Sequence, residues 1–526
     1  MKIRISQLKL PLDDHQLPLA SIAARTLRLP PRDIREARLL KKSVDARDKS
    51  DVHFILTLEA ETLRPLKTLP RNVEIVPDAP PAPEQRTPRP MAERPLVVGL
   101  GPAGLFAALT LAQAGMQPLV IERGRPVDQR TQDVDAFWNG GALDPISNVQ
   151  FGEGGAGAFS DGKLNTGIKD SRCRRVLETL HRAGAPEEIL WQAKPHIGTD
   201  HLKETVKGLR KQIIALGGEV RFETRLTGLE TENGRVTGAV LNDAERVPTG
   251  CVILAVGHSA RDTFQWLYEM GVTMSPKAFA IGARIEHKQS DINRSQYGRF
   301  AGHPALGAAD YKLAVHLPGG RSVFTFCMCP GGQVVAAASE PGGVVVNGMS
   351  LFARDGENAN SAVLVNVTPE DFDGSDPLAG VRFQRRWEQA AFLAGGGDGR
   401  APAQTVGDFL KNRPSLSGGK VIPSYRPGVQ WGRLDDCLPD FVCASLREAL
   451  PLLDRKLRGF AHPDAVLTGV ETRSSSPLRI ERDASCQGSL RGLYPCGEGA
   501  GYAGGIMSAA VDGIRCAEAA LYGEND

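Results

Sequence analysis

Three glycines and one carboxylate are spaced as in a binding site for a dinucleotide. Gly99, Gly101 and Gly104 form a G-x-G-x-x-G turn, and the acidic residue Glu122 follows 18 positions after the last of them. Gly99 permits a tight turn, Gly101 lets the backbone approach a pyrophosphate, and Gly104 lets a helix pack on a strand. Because the Glu122 carboxylate can accept the hydroxyls of an adenosine ribose, the pattern predicts a dinucleotide site. The other predicted contacts in these turns are Pro102, Ala103 and Arg123.

A second glycine-rich segment, residues 492–521, distinguishes between the possible dinucleotides. It contains a short apolar strand, a glycine loop and the start of a helix. In flavoproteins of the glutathione-reductase type, such a strand end holds the ribityl chain and pyrophosphate of FAD. The helix N-terminus then faces the flavin N1–O2 edge, which gains negative charge on reduction, so the segment favours FAD over NAD. The predicted contacts are Gly497, Glu498, Gly504, Gly505 and Ile506.

A third glycine-rich segment, residues 148–163, follows the second strand of the first motif after an insertion. Its glycines allow close approach of the backbone to a ligand. Ser160 and Asp161 can hydrogen-bond a flavin or a substrate, and Lys163 can lie near a phosphate or the N1–O2 edge. The alternative is a flexible lid. The contacts predicted from this loop, and from the strand end at residues 256–258, are Gly154, Gly155, Ser160, Asp161, Gly162, Lys163 and Gly257.

The candidate catalytic side chains lie mostly farther along the chain. Arg284 and His287 fall on a predicted strand, Tyr425 in a turn, and Arg473 shortly before the final segment. An arginine can hold a substrate carboxylate by two parallel hydrogen bonds, and His287 or Tyr425 can move a proton. Together with Lys163 these residues form the predicted catalytic set. Ordinary ion pairing inside a mixed sheet is the alternative explanation for them.

Cys327 and Cys329 form a C-x-C pair in the sequence FCMCPGG. Such a pair can be a redox dithiol, a pair of metal ligands or a site for a substrate thiol. A disulfide in so small a ring is strained and easily reduced. A metal site usually needs four ligands and the sequence has no second close pair, so no metal is predicted. The alternative is two buried cysteines at the end of a strand.

Composition indicates a globular protein of more than one domain. The 526 residues exceed one ordinary core, and 41% hydrophobic and 24% charged residues are typical of soluble proteins. Since 63 basic residues nearly balance 61 acidic ones, no overall field attracts nucleic acid or a membrane surface. The nine scattered cysteines and the absence of a signal-peptide pattern favour the cytoplasm. No membrane span is predicted, and the oligomeric state is left open.

The expected fold class is α/β: a Rossmann-type FAD-binding domain, an inserted α+β substrate domain and a small α+β N-terminal module. In the N-terminal module, residues 32–40 are expected to add a second helix. The basic residues of the module predict a solvated helix face. Docking of an acidic partner or of RNA is the alternative. The expected boundaries are 1–76 for the module, 77–95 for a proline-rich linker, 96–271 and 481–526 for the FAD-binding domain, and 272–480 for the substrate or cap domain.

The sequence resembles a group of bacterial FAD-dependent dehydrogenases related to the glutathione-reductase-like flavoproteins. The resemblance covers nearly the whole chain. It implies FAD and a redox reaction but no particular substrate. The segments that carry the resemblance are GLGPAGLFAAL, FGEGGAGAFSDGKL, FCMCPGG, VIPSYRPGV, ETRSSSPLRI and GEGAGYAGGIMSAAVDG.

These observations predict an FAD-dependent oxidoreductase that transfers hydride between a small-molecule substrate and flavin N5. The sequence shows no second G-x-G-x-x-G unit for a dedicated NAD(P)H domain. NAD(P)H is therefore expected at most as a transient electron donor in the same cleft. One alternative is a flavoprotein monooxygenase that uses NAD(P)H and oxygen. Another is an RNA-associated flavoprotein that docks RNA through the basic N-terminal module, although nucleic acid is not the expected partner.

Overall fold

The structure, a computed structural model, describes residues 1–66, 68–77 and 87–523. Residues 78–86, which make up much of the predicted proline-rich linker, lie outside the described residues. The part of that linker that is described leads directly into the first parallel strand. There the Arg89 N–H donates to the Leu521 carbonyl at 2.8 Å and joins the linker to the C-terminal helix.

The N-terminal residues form a four-stranded antiparallel sheet with one helix packed on it. The elements are β1 (Lys2–Pro11), α1 (Leu19–Leu27), β2 (Ile34–Asp45), β3 (His53–Thr62) and β4 (Val73–Ile75). The strand order is β2-β3-β1-β4. Alternate side chains of β3 are buried beneath α1, as expected for a sheet with one face covered.

The prediction of a second helix over residues 32–40 is wrong, because β2 covers this segment. Its side chains alternate across the strand, so the basic residues form cross-strand pairs. Arg35 bonds Glu61 at 3.2 Å and Arg38 bonds Glu59 at 2.7 Å. These basic residues therefore face acidic neighbours on the sheet instead of forming a solvated helix face.

Residues 96–271 contribute four of the five strands of a parallel sheet and the helices that cover it. The elements are β5 (Leu96–Val98), α2 (Pro102–Gln113), β6 (Leu119–Ile121), α3 (Val127–Trp138), α4 (Arg172–Arg182), α5 (Gly198–Ala215), β7 (Glu219–Arg221), β8 (Leu226–Glu232), β9 (Arg235–Leu241), β10 (Glu245–Pro248), β11 (Val252–Leu254) and α6 (Arg261–Glu269). Strands β8, β9 and β10 form a separate antiparallel sheet.

The remaining described residues contain a larger sheet and the last strand of the parallel one. The elements are β12 (Met274–Pro276), β13 (Phe279–Lys288), α7 (Gln289–Tyr297), β14 (Ala314–His316), β15 (Ser322–Cys329), β16 (Gln333–Ala336), β17 (Val346–Met349), β18 (Asn358–Val367), α8 (Ala379–Ala394), β19 (Ala401–Thr405), α9 (Val406–Leu410), β20 (Val429–Trp431), α10 (Asp440–Lys456), β21 (Val466–Glu471), β22 (Leu478–Ile480), β23 (Leu493–Pro495) and α11 (Ile506–Tyr522). The seven-stranded sheet has the order β14-β15-β18-β13-β21-β19-β20 and is antiparallel except for the β19–β20 pair.

The five-stranded parallel sheet has the order β23-β11-β5-β6-β7, which confirms the parallel sheet predicted from the glycine motif. Its strands are short and largely buried because both faces are covered. Helices that include α2 and α11 pack on one face, and the β8–β10 sheet with α6 packs on the other. The connections reverse direction between β5 and β11, and the carboxyl ends of these strands form a crevice in which such sheets bind ligands.

Candidate functional site

One cavity of about 480 Å³ lies over the carboxyl ends of the parallel sheet. Its volume falls within the range usual for ligand pockets. The loops that follow β5, β6, β11 and β23 form one side. The other side is formed by β15 and β21 of the seven-stranded sheet and by β17, which pairs with β16 in a separate two-stranded sheet. The cavity reaches from Glu122 to Gly505, two residues nearly 400 positions apart in the chain.

Most of the sequence-predicted cofactor contacts line this single cavity. Gly104, Gly154 and Gly497 do not line it and lie behind its wall. The predicted contacts that do line it are Gly99, Gly101, Pro102, Ala103, Glu122, Arg123, Gly155, Ser160, Asp161, Gly162, Lys163, Gly257, Glu498, Gly504, Gly505 and Ile506.

The first glycine turn brings β5, α2 and β11 into close contact. A Cβ built on Gly104 would lie 1.8 Å from the carbonyl oxygen of Gly99. Gly99 itself has a φ of +98°, and its Cβ would lie 2.4 Å from the Ala255 carbonyl oxygen. Since backbone atoms cannot move away from such contacts as a flexible side chain can, only glycine fits at these two positions.

The Glu122 carboxylate, buried at the end of β6, holds the surrounding backbone in place. It accepts N–H bonds from Leu100 at 2.8 Å, Gly124 at 2.9 Å and Gly152 at 3.0 Å. An ionised carboxylate offers about four acceptor positions. Glu122 thus joins the first and third glycine-rich segments and keeps one acceptor position for a ligand at the cavity wall.

The two helices that begin at the cavity, α2 and α11, both present uncapped N-termini to it. Neither of the described N-cap residues, Gly101 and Gly505, provides a side-chain cap. The first-turn N–H groups and the positive end of each helix dipole are therefore available to an anionic ligand.

Glycines at the end of the cavity near α11 leave open space. A Cβ built on Gly257, Gly504 or Gly505 would meet no protein atom within 4 Å. Protein packing therefore does not require glycine at these positions, although Gly257 has a positive φ of +74°. The missing side chains leave room at the cavity wall, as a site for a bulky planar ligand requires.

The end of the third glycine-rich segment, residues 148–163, supplies an ion pair to the cavity wall. Lys163 Nζ lies 2.9 Å from Asp161 Oδ2, and Asp161 also accepts from Arg354 Nε at 2.9 Å and from Ser350 Oγ at 2.7 Å. Although burial opposes ionisation, Lys163 and Arg354 lower the pKa of Asp161 to about 2. Asp161 is thus an anion that positions Lys163, and its own carboxylate is already engaged by protein groups.

Arg473 reaches the cavity but is held by protein partners. Its Nε and Nη2 donate to Glu388 Oε1 and Oε2 at 3.0 and 2.8 Å, and its Nη1 donates to Ser259 Oγ and Ser339 Oγ at 2.9 and 2.6 Å. Four of its five N–H groups are therefore used. The expectation that Arg473 clamps a substrate carboxylate with two parallel bonds does not fit this geometry.

Glu388, in the middle of α8, anchors two arginines at this wall. Arg261 Nη2 lies 2.7 Å from Glu388 Oε1, and Arg261 Nη1 also lies 2.7 Å from Glu340. All three side chains of the Arg261–Glu388–Arg473 cluster are nearly inaccessible to solvent. Burial alone would raise the pKa of Glu388, but Arg261 and Arg473 lower it well below its ordinary value.

Three other predicted catalytic residues do not line the cavity. His287 Nε2 lies 2.7 Å from the Phe460 carbonyl oxygen, and the Tyr425 hydroxyl donates to the Gly399 carbonyl at 3.1 Å. Arg284 is fully buried behind the wall, where its Nε donates to Glu471 Oε2 at 2.7 Å. All three side chains are buried among the residues packed on and around the seven-stranded sheet, so they do not reach the cavity surface.

Glu498 is the cavity residue whose surroundings are best suited to proton transfer. Its Oε1 lies 4.0 Å from His258 Nε2. Burial raises the pKa of Glu498 to about 7, against the opposing charge of Lys277. Burial, with the charges of Arg473 and Arg261, lowers the pKa of His258 to about 3. At neutral pH the pair therefore consists of a neutral imidazole and a carboxyl group that can gain or lose a proton.

This difference predicts a pH-dependent effect of Glu498→Gln on the stability of the cofactor-free protein. A glutamate in the unfolded chain ionises near pH 4.3, whereas the folded pKa is about 7. The wild type therefore loses stability as pH rises between these values, by about 4 kcal/mol at full ionisation. We expect Glu498→Gln to gain stability over wild type progressively from pH 5 to pH 8 in urea unfolding. The exposed Glu187→Gln is the matched control, and an equal gain at every pH would contradict the prediction.

Sequence reasoning did not single out Glu388 or Arg261. Glu388 lies inside a helix of ordinary composition, and nothing in its neighbourhood marks it as the partner of two distant arginines. Arg261 follows the strand end at residues 256–258, which is the only signal that could have pointed to it.

A cluster of Cys496, Asp512 and Cys516 has ligand atoms close enough to hold a metal ion. The guanidinium of Arg482 already lies among them, 2.6 Å from Asp512 Oδ1 and 3.2 Å from Cys516 Sγ. Asp512 also accepts the Gly497 N–H at 2.7 Å. The arrangement is a buried ion pair that fixes the loop before α11 and leaves no acceptor set directed at a cation.

The chain is similar in sequence to a bacterial protein over nearly its whole length and to an FAD-dependent family over part of it. An uncharacterized protein of Clostridium beijerinckii is 49% identical over 539 residues, which cover 98% of each chain. Residues 278–474 match a family described as FAD-dependent protein, C-terminal domain-like, and residues 2–61 match a domain of unknown function. No helix among the described residues is long and apolar enough to cross a membrane.

Solved structures resemble the chain only weakly. The FrdA chain of E. coli quinol fumarate reductase is 12% identical, with a TM-score of 0.38 over 81% of this chain and 69% of that chain. Glycine oxidase from Bacillus cereus is 10% identical, with a TM-score of 0.31 over 81% of this chain and 94% of that chain. Likeness at this level supports no conclusion about function.

Proposed function

The chain belongs to the same family as the Clostridium beijerinckii protein, and we propose that it is an FAD-dependent oxidoreductase acting on a small molecule. The observation that carries the proposal is the single cavity that joins Glu122 at one end to Gly505 at the other. The match of residues 278–474 to an FAD-dependent family supports the choice of cofactor.

The cavity suits FAD along its whole length. Glu122 retains one acceptor position for an adenosine hydroxyl, and Arg123 and Thr224 line the same end. The uncapped N-terminus of α2 suits a pyrophosphate. At the other end, the open space at Gly504 and Gly505 and the uncapped N-terminus of α11 suit a ring that becomes negatively charged.

Bound FAD would supply the capacity to accept or donate a hydride. The chain's own residues orient the reactants and manage protons. The wall opposite the parallel sheet, which includes Thr325, Cys327 and Ser474, confines the substrate over the cofactor. Glu498 gives or takes the proton that accompanies hydride transfer, and Lys163 adds a positive charge at the same end.

The test is the visible spectrum of the purified protein, followed anaerobically. We expect one FAD per chain, released on denaturation, and bleaching of the oxidised-flavin band by at least one donor among NADH, NADPH and pooled small metabolites. Bound FAD that none of these donors reduces would contradict the enzymatic part of the proposal. A colourless protein that does not take up added FAD would contradict the proposal as a whole.

A further inference from the structure

The C-terminal end of strand β15 carries a pair of cysteines, Cys327 and Cys329, beside the cavity. Relative to its neighbour β18, β15 carries one extra residue between Phe326 and Cys329, which is a β-bulge. Cys327 lies in this bulge with a φ of +43°, a backbone conformation that residues other than glycine rarely adopt. Bulges redirect side chains beside functional sites, and Cys327 lines the cavity.

Two cations, the fully buried Arg284 and the partly buried Lys163, lie beside the pair. Lys163 Nζ lies 4.0 Å from Cys329 Sγ, and Arg284 Nη1 lies 3.9 Å from the same sulfur. Arg284 Nη1 also donates to the Cys327 carbonyl at 3.1 Å, and the Cys329 thiol donates to this carbonyl at 3.2 Å. A positive environment of this kind favours a thiolate.

The charge around the pair remains positive, because three cations face two carboxylates there. Asp161 pairs with Lys163 and also with Arg354, and Glu471 pairs with Arg284. The interaction of the two thiols, together with Lys163 and Arg284, lowers the pKa of Cys327 well below that of an ordinary thiol. The pKa of Cys329 is raised by the same interaction and by burial. Cys327, which lines the cavity, is therefore the more acidic thiol of the pair, and the buried Cys329 lies beside it.

We propose that Cys327 and Cys329 form a redox-active dithiol that exchanges with small disulfides entering the cavity. The Cys327 thiolate attacks one sulfur of the disulfide, a Cys327–substrate disulfide forms, and the other half leaves as a thiolate. The Cys329 thiol then gives its proton to the thiolate released in the first step and attacks Cys327 Sγ. This closes the Cys327–Cys329 disulfide and releases the second half of the substrate as a thiolate. The substrate gains two electrons and the cysteine pair loses two.

Lys163 assists both steps because its ammonium stabilises a thiolate at either sulfur. The small C-x-C ring makes the internal disulfide easy to reduce, so the pair returns readily to the dithiol. A dithiol reductant restores it by giving up two electrons and two protons. Restoration by a flavin in the same cavity rests on the proposed function, whereas the exchange with disulfides does not.

The experiment follows a single tryptic peptide of the full-length protein. Cleavage after Arg321 and Arg354 releases residues 322–354, whose only cysteines are Cys327 and Cys329. Reduced protein is treated with bis(2-hydroxyethyl) disulfide, quenched in acid, alkylated and analysed by mass spectrometry. We expect wild-type peptide with an internal disulfide, Cys329→Ser peptide with one hydroxyethylthio adduct, and unmodified Cys327→Ser peptide.

A second measurement follows the alkylation rate of Cys327 against pH in the Cys329→Ser protein. We expect Lys163→Met in this background to move the midpoint to higher pH, because a stabilising charge is lost. Equal modification of the two serine variants, or wild-type peptide without an internal disulfide, would overturn the proposal. FAD content is read from the absorbance of the same samples, so loss of cofactor is distinguished from loss of disulfide exchange.

Discussion

Gly505→Leu protein should purify folded but without FAD. A Cβ at this position meets no protein atom within 4 Å, and the extended backbone, with a φ of 160°, accepts any residue. The leucine side chain therefore occupies cavity space that we assign to the flavin. Gly505 is also the N-cap of α11, where loss of glycine weakens the helix by about 1 kcal/mol or less.

The expected loss of affinity is about 100-fold or more in the Kd for FAD, or about 2.7 kcal/mol. Equilibrium titration of the cofactor-free protein with FAD measures it, and thermal unfolding without FAD checks the fold. Gly319→Leu is the matched control, since its Cβ also meets no atom within 4 Å and it lies outside the cavity. Wild-type affinity in Gly505→Leu would show that the flavin does not occupy this end.

Glu388→Ala should be the most destabilising of the substitutions discussed. It leaves the guanidinium groups of Arg261 and Arg473 buried without their shared carboxylate. Breaking a buried pair by removing one partner costs about 3–5 kcal/mol, because an uncompensated charge remains in the interior. Urea unfolding followed by circular dichroism should therefore show a clearly lower midpoint than in the wild type.

The matched control for this substitution is Asp373→Ala, which removes the carboxylate of an exposed pair with Arg386, another residue of α8. Exposed pairs contribute about 0–1 kcal/mol, so its midpoint should remain close to that of the wild type. Similar midpoints for Glu388→Ala and Asp373→Ala would contradict the assignment of Glu388 as the anchor of the cavity wall.

The sequence was sufficient to predict the parallel sheet and the residues around its carboxyl ends. Local chemistry determines these features. The turn needs glycine at Gly99 and Gly104 because a Cβ at either position would lie within 2.4 Å of a backbone atom. Buried apolar strands such as β5 and β11 are recognisable from composition alone. The helix predicted over residues 32–40 failed because the pairing of β2 with β3, a nonlocal interaction, decides that segment.

The catalytic side chains could not be chosen from the sequence because position along a strand does not tell which residues reach a cavity. Arg284 and His287 were selected for their chemistry, yet the packing of β13 between two strands buries both. Glu498 was predicted as a cofactor contact, and only its burial beside His258 suggests a proton-transfer role. Long-range packing therefore decides which of the candidate groups can act.

The position of FAD in electron density from crystals grown with the cofactor tests the central claim most directly. The account predicts one FAD in the cavity, with its ribose beside Glu122, its pyrophosphate at the N-terminus of α2 and its ring beside Gly505. FAD bound elsewhere on the protein, or bound in the cavity with its ring beside Glu122, would contradict the account.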